Sequence, residues 1–159
     1  MQKFFLLSFA LLAGLFLASC DSKYLYNEEH RLPEIGWTYS DTLDFSFEIP
    51  DTTQLYNLLL EVQHSPEYAY QNIYTQIYTR FPSGQRLHKL LSLELADKDG
   101  VWAGDCGRRH CNIEIPIQTE AYFNEAGKYV ITLEQFMRKD TLVGIQQIGL
   151  KVEKTGKQR

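Results

Sequence analysis

The chain has 159 residues, a formal net charge of −4 and a mean hydropathy of −0.31. That length holds one domain with its own core rather than several. The acidic balance argues against nucleic acid or an anionic lipid surface as a partner, since both call for a basic face.

The N-terminus reads Met1-Gln2-Lys3, then an apolar run over residues 4–17, then Ala18-Ser19-Cys20. One cation, a short apolar stretch and small residues before a cut site form the secretory pattern. The run is too short to span a bilayer comfortably, which takes about 20 residues. Leu17-Ala18-Ser19-Cys20 also has the form of a lipobox: an aliphatic residue, two small residues that let a peptidase close on the backbone, and a thiol that takes diacylglycerol as a thioether. Residues 1–19 are therefore expected to be a lipoprotein signal peptide. Cys20 is expected to be the lipidated first residue of the mature chain, bearing diacylglycerol and an N-acyl chain such as palmitate, with no other cofactor. Each acyl CH₂ buried in a bilayer contributes about 0.8 kcal/mol, so the anchor alone gives membrane attachment. The polar residues that follow, through Pro33, make 20–36 read as a lipidated tether, leaving 37–159 for the folded domain.

From Trp37 onward the hydrophobic period is two. Leu43, Phe45, Phe47 and Ile49 alternate with Asp44, Ser46 and Glu48, and Pro50-Asp51 ends the run. Further apolar rows follow: Tyr56 to Val62, Ile73 to Phe81, Leu91 to Leu95, Ile113 to Ile117, Tyr129 to Leu133, and Ile148 to Val152. Each is bounded by turn residues, and each predicts a half-buried strand. A short turn of helix over residues 118–125 is the most helix the pattern allows. About seven to eight one-faced strands must cover one another, which predicts an all-β, immunoglobulin-like antiparallel β-sandwich. A closed barrel is the alternative that alternation alone leaves open.

If Cys20 is acylated, Cys106 and Cys111 remain as an even pair in a compartment where disulfides persist. The Cys106-Gly-Arg-Arg-His-Cys111 loop is short enough to pin a turn. A metal site on Cys106, His110 and Cys111 is the rival, weakened by the lack of a nearby fourth ligand and by two arginines between the thiols. Asp97-Lys98-Asp99-Gly100 is superficially similar to a calcium loop but lacks the third acidic position and the distal glutamate, so a hairpin turn is the better reading. No nucleophile elbow, phosphate loop or His-Glu-x-x-His run is present, and the four histidines are scattered singly. The expectation is a protein that is not an enzyme, with no metal and no small-molecule substrate. One stripe stands out: Tyr70, Asn72, Tyr74, Gln76, Tyr78 and Arg80 occupy the face opposite Ile73 and Ile77. Tyrosines interleaved with amides and a guanidinium suit a protein partner or a glycan. They equally suit cross-strand pairing, since tyrosine favours strands.

Several segments, taken in order, carry a resemblance. They are Leu17-Ala18-Ser19-Cys20, Tyr56-Asn57-Leu58, His64 and Tyr68-Ala69-Tyr70-Gln71-Asn72-Ile73, then Phe81-Pro82-Ser83-Gly84 and Leu95-Ala96-Asp97-Lys98-Asp99-Gly100-Val101-Trp102-Ala103-Gly104. Ala126-Gly127-Lys128-Tyr129, Glu134-Gln135-Phe136-Met137-Arg138-Lys139-Asp140, Gly144-Ile145 and Ile148-Gly149-Leu150-Lys151-Val152-Glu153-Lys154 complete them. Together they resemble the gliding motility lipoprotein GldH family of Bacteroidota. The Cys106–Cys111 loop is not part of that pattern. The resemblance implies a non-catalytic component of the envelope machinery for gliding, tied to type IX secretion. It further implies a lipid anchor on Cys20 and other gliding or secretion lipoproteins as partners. Bacteria that do not glide also hold family members, so the role can be confined to assembly or secretion. The expected location is the cell envelope, at the outer membrane facing the periplasm. A glycan-binding sandwich is the alternative function.

Overall fold

The computed structural model describes residues 22–159; the expected signal peptide, residues 1–19, and Cys20 lie outside the described residues. In chain order the strands are β1 (Tyr24–Arg31), β2 (Trp37–Thr38), β3 (Leu43–Ile49), β4 (Gln54–His64), β5 (Asn72–Arg80) and β6 (Arg86–Glu94). They continue with β7 (Asp105–Cys106), β8 (Cys111–Ala121), β9 (Gly127–Gln135), β10 (Thr141–Leu142) and β11 (Ile145–Gln158). Sheet I has the order β1-β11-β4-β8-β7, sheet II the order β3-β9-β5-β6, and β2 pairs with β10 across one end. All pairings are antiparallel.

Alternation dictates how the sheets meet. In β3 the burial pattern is a strict in-out repeat, placing Leu43, Phe45, Phe47 and Ile49 in the core and the polar residues between them outside. Across the sandwich Leu58, Leu60 and Val62 of β4 and Ile148, Leu150 and Val152 of β11 supply the facing apolar layer. At one end Phe47 stacks on Tyr129 with ring centroids 5.9 Å apart, and Phe123 packs edge-on to Tyr129 at 4.8 Å. The opposite end is closed by Trp37 and Leu142, both buried, where β2 meets β10. Gly36 permits that closure: its φ is +108°, and a Cβ there would lie 2.2 Å from the Leu142 carbonyl oxygen.

The all-β antiparallel sandwich is as the alternation predicts, and both sheets are open, so the barrel is excluded. The strand order, however, differs from an immunoglobulin arrangement. Every link between long strands crosses from one sheet to the other except the β5–β6 hairpin, and this is the double Greek key of a jelly roll. Alternation fixes which face a strand buries; it does not choose the strand's neighbours. Two local expectations also change. Residues 24–31, expected within the tether, form edge strand β1, paired with β11 from Tyr24↔Glu153 to Arg31↔Gln147. Tyr26 reaches inward to pack against Phe47 at 5.5 Å. The domain therefore begins at Tyr24, not Trp37; polar composition hid a strand that contributes few residues to the core. The short helix expected over 118–125 is absent, because β8 continues to Ala121.

Candidate functional site

Strand β5 sets the tyrosine stripe. Its inward face carries Ile73, Thr75 and Ile77, all buried, so Asn72, Tyr74, Gln76, Tyr78 and Arg80 project from the outer face of sheet II. Several of these groups are already engaged. Asn72 donates to Ser92 Oγ at 2.8 Å, and the Tyr78 hydroxyl donates to Gln76. The Tyr78 ring lies flat on His88 at 4.7 Å. Burial, reinforced by the Glu134 carboxylate, holds the Tyr78 phenol above its ordinary range. Tyr70 packs edge-on to Tyr68 at 5.6 Å, and Arg80 stands opposite Arg86 at the far end of the hairpin.

Tyr74 is different. It is 45% exposed and opens into a groove of about 1130 Å³ that Tyr39, Tyr70, Leu90, Phe136 and Met137 also line, with Arg138 and Lys139 at its rim. Phe136 and Leu90 are about half exposed, an unusual amount of apolar surface in one place. The wall of the groove is built by Gln135, which is buried at the end of β9. Its side-chain amide donates to the Lys139 carbonyl at 2.9 Å and accepts the Met137 N–H at 2.9 Å, folding residues 136–140 back over the sheet. Tyr39 closes the corner by donating its hydroxyl to the Met137 carbonyl. The stripe was legible from alternation on one strand. Tyr39, Leu90, Phe136 and Met137 were not, since they come from three other segments; the adjacent apolar pairs Leu90-Leu91 and Phe136-Met137, which break alternation, are the signal that marks two of those segments.

The Asp97–Gly104 run is structural. Asp97 Oδ1 accepts the backbone N–H groups of Asp99 and Val101, each at 2.9 Å, and Gly100 takes φ +82° in the turn. Trp102 then reaches back, donating Nε1–H to the Pro66 carbonyl at 3.1 Å and packing on His64 at 4.5 Å. His64 itself is fully buried, with Nδ1 2.9 Å from the Ser65 carbonyl. Burial pushes its pKa below 6.5, partly offset by that hydrogen bond. Cys106 and Cys111 are joined by a disulfide that staples β7 to β8. On the outer face of sheet I, Lys151 bridges Glu61 at 2.7 Å and Glu114 at 2.9 Å. Burial alone would lower its pKa; the two carboxylates outweigh that and raise it. Among the described residues no group of three or more His, Cys, Asp or Glu is placed to hold a metal ion, and no helix is long and apolar enough to cross a membrane.

Fold and surface together define a jelly-roll β-sandwich domain with an aromatic groove on one outer face. The model of the GldH lipoprotein family matches residues 24–152, from the first residue of β1 into β11, and the chain belongs to that family. It is 26% identical over 145 residues to the gliding motility lipoprotein GldH homolog of Christiangramia forsetii, covering 87% of this chain and 88% of that one. It is 25% identical over 154 residues to the gliding motility lipoprotein GldH of Flavobacterium johnsoniae, covering 90% and 92%. Among solved structures, a CBM28 carbohydrate-binding module specific for non-crystalline cellulose is similar at TM-score 0.39 and 11% identity, over 80% of this chain and 72% of the module.

Proposed function

We propose that this protein is a lipid-anchored component of the cell envelope, acylated on Cys20. In this reading it serves gliding motility or the type IX secretion linked to it as a non-catalytic scaffold or assembly factor. It acts through protein–protein contacts and sits at the outer membrane facing the periplasm. Family membership supports the setting, and the groove supports the mode of action. The observation that carries the contact site is the meeting of Tyr74 with Phe136 and Met137, from a segment that carries the family resemblance, around one exposed apolar groove. Aromatic residues flanked by arginine are the usual anchors of protein interfaces.

A photo-crosslinking residue at Tyr74 or Phe136, in cells, should capture one or a few envelope lipoproteins identified by mass spectrometry. The same residue at Glu48, on the outer face of β3, should not. Cys20→Ala should release the domain from membranes and abolish function. Equal capture at all three positions, or a Cys20→Ala protein that stays in membranes and works normally, would overturn the reading. Specific glycan binding lost in Tyr74→Ser/Tyr78→Ser would replace the protein partner with a sugar.

A further inference from the structure

Strand β6 is the outer edge of sheet II and pairs with β5 alone. Natural sheets blunt such edges with proline, a bulge, short length or charged side chains. β6 carries Arg86, Lys89 and Glu94, with Lys89 on the inward side, but no proline or bulge: it runs nine residues in unbroken register, and its Leu87 and Leu90 are 56% and 49% exposed. The backbone phase of the edge follows from the ends of the β5–β6 ladder. Phe81 N–H donates to the Gln85 carbonyl at 2.9 Å, and Leu95 N–H to the Gln71 carbonyl at 2.8 Å. Hydrogen-bonded and non-hydrogen-bonded pairs alternate in an antiparallel ladder. The odd-numbered residues of β6 therefore turn their N–H and C=O groups toward β5, while Arg86, His88, Leu90, Ser92 and Glu94 turn theirs to the open side.

Those residues are their own complement. When a second copy lies antiparallel with Leu90 against Leu90, Arg86 faces the second copy's Glu94 and His88 faces its Ser92. All of these are outward-directed residues, so the pairs are the hydrogen-bonded kind. Within the chain, by contrast, Arg86 stands opposite another cation, Arg80. On the inward side Leu87 falls against the second copy's Leu93, and Lys89 against its Leu91. Sliding the copy by two residues one way sets Lys89 against Lys89; sliding it the other way carries Arg86 past the end of the strand.

We infer that β6 is a homodimer edge: two copies of this chain pair through it about a two-fold axis at Leu90, and the two sheets II become one continuous eight-stranded sheet. The contact is isologous, as closed dimers require, and uses edge-strand addition as its binding mode.

The test is made on the full chain in native membranes. Cα atoms in a hydrogen-bonded antiparallel pair lie about 5.5 Å apart, within disulfide reach. Under mild oxidation Leu90→Cys should give a covalent dimer, while Leu87→Cys, which faces Leu93 rather than itself, and Gln85→Cys in the hairpin loop stay monomeric. In the Leu90→Cys background, Arg86→Glu should lower the dimer yield severalfold, and Arg86→Glu with Glu94→Arg should restore it. Absence of the Leu90→Cys dimer, equal crosslinking at Gln85→Cys, or no rescue by the double exchange overturns the inference. A Leu90→Cys product containing a different protein also overturns it, because the edge would then take another chain's strand.

Discussion

Gln135 shows how one buried amide organises a surface. An apolar residue at the same place would pack as well against the core yet leave the Lys139 carbonyl and the Met137 N–H without their partner. Gln135→Leu is expected to cost about 2 kcal/mol in urea unfolding, the scale of stranding such groups. It should also speed amide exchange at Met137 while leaving β3 protected. His64 gives a residue-scale dependence on pH. Its folded pKa lies below the ordinary 6.5, so the unfolded chain binds the proton first as pH falls. Stability from this group is complete above 6.5 and is lost progressively from there down to the folded value. Denaturation midpoints measured from pH 7.5 to 5 should fall more for the wild type than for His64→Phe; parallel curves would remove the assignment.

At the level of elements, legibility followed the strength of alternation. β3 was readable to the residue because Leu43, Phe45, Phe47 and Ile49 strictly alternate with polar residues and Pro50 ends the run. β1 was not readable, because an edge strand with Asn27, Glu28 and Glu29 in its middle has the composition of a linker. What holds β1 is its ladder with β11 and the contact of Tyr26 with Phe47, neither of which leaves a local pattern. The amides of Tyr26, Glu28 and His30, whose phase in the ladder turns them toward β11, should therefore exchange orders of magnitude more slowly than in an unstructured segment. Exchange at the free-chain rate would return these residues to the tether. The candidate groove was half legible for a similar reason: Tyr70, Tyr74 and Gln76 share one strand pattern, but Phe136 and Tyr39 reach it through a turn and a corner that only tertiary packing assembles.

For the whole molecule, the two sheets share one continuous core, and nearly every connection passes between them. Neither sheet can keep its apolar face covered alone. Equilibrium unfolding should be a single transition by fluorescence and by circular dichroism alike. Refolding should take milliseconds to seconds, as in other sandwiches dominated by non-local pairing. Two separated transitions would mean that one sheet persists without the other. The jelly-roll order also makes the early start of β1 matter for reach. Only Asp21, Ser22 and Lys23 separate Cys20 from Tyr24, so an acyl group on Cys20 leaves a leash of about 14 Å at full stretch. If Cys20 is acylated as proposed, β1 carries the chain about 26 Å further, and the loops bearing Ile35 and Val143 lie at the end away from the anchor. On that proposal the protein is a short post with a nearly fixed foot rather than a buoy on a line. In that reading a partner docking alongside β1 meets it within roughly 40 Å of the membrane, the sum of leash and strand, which favours proteins that live on that surface or extend down to it.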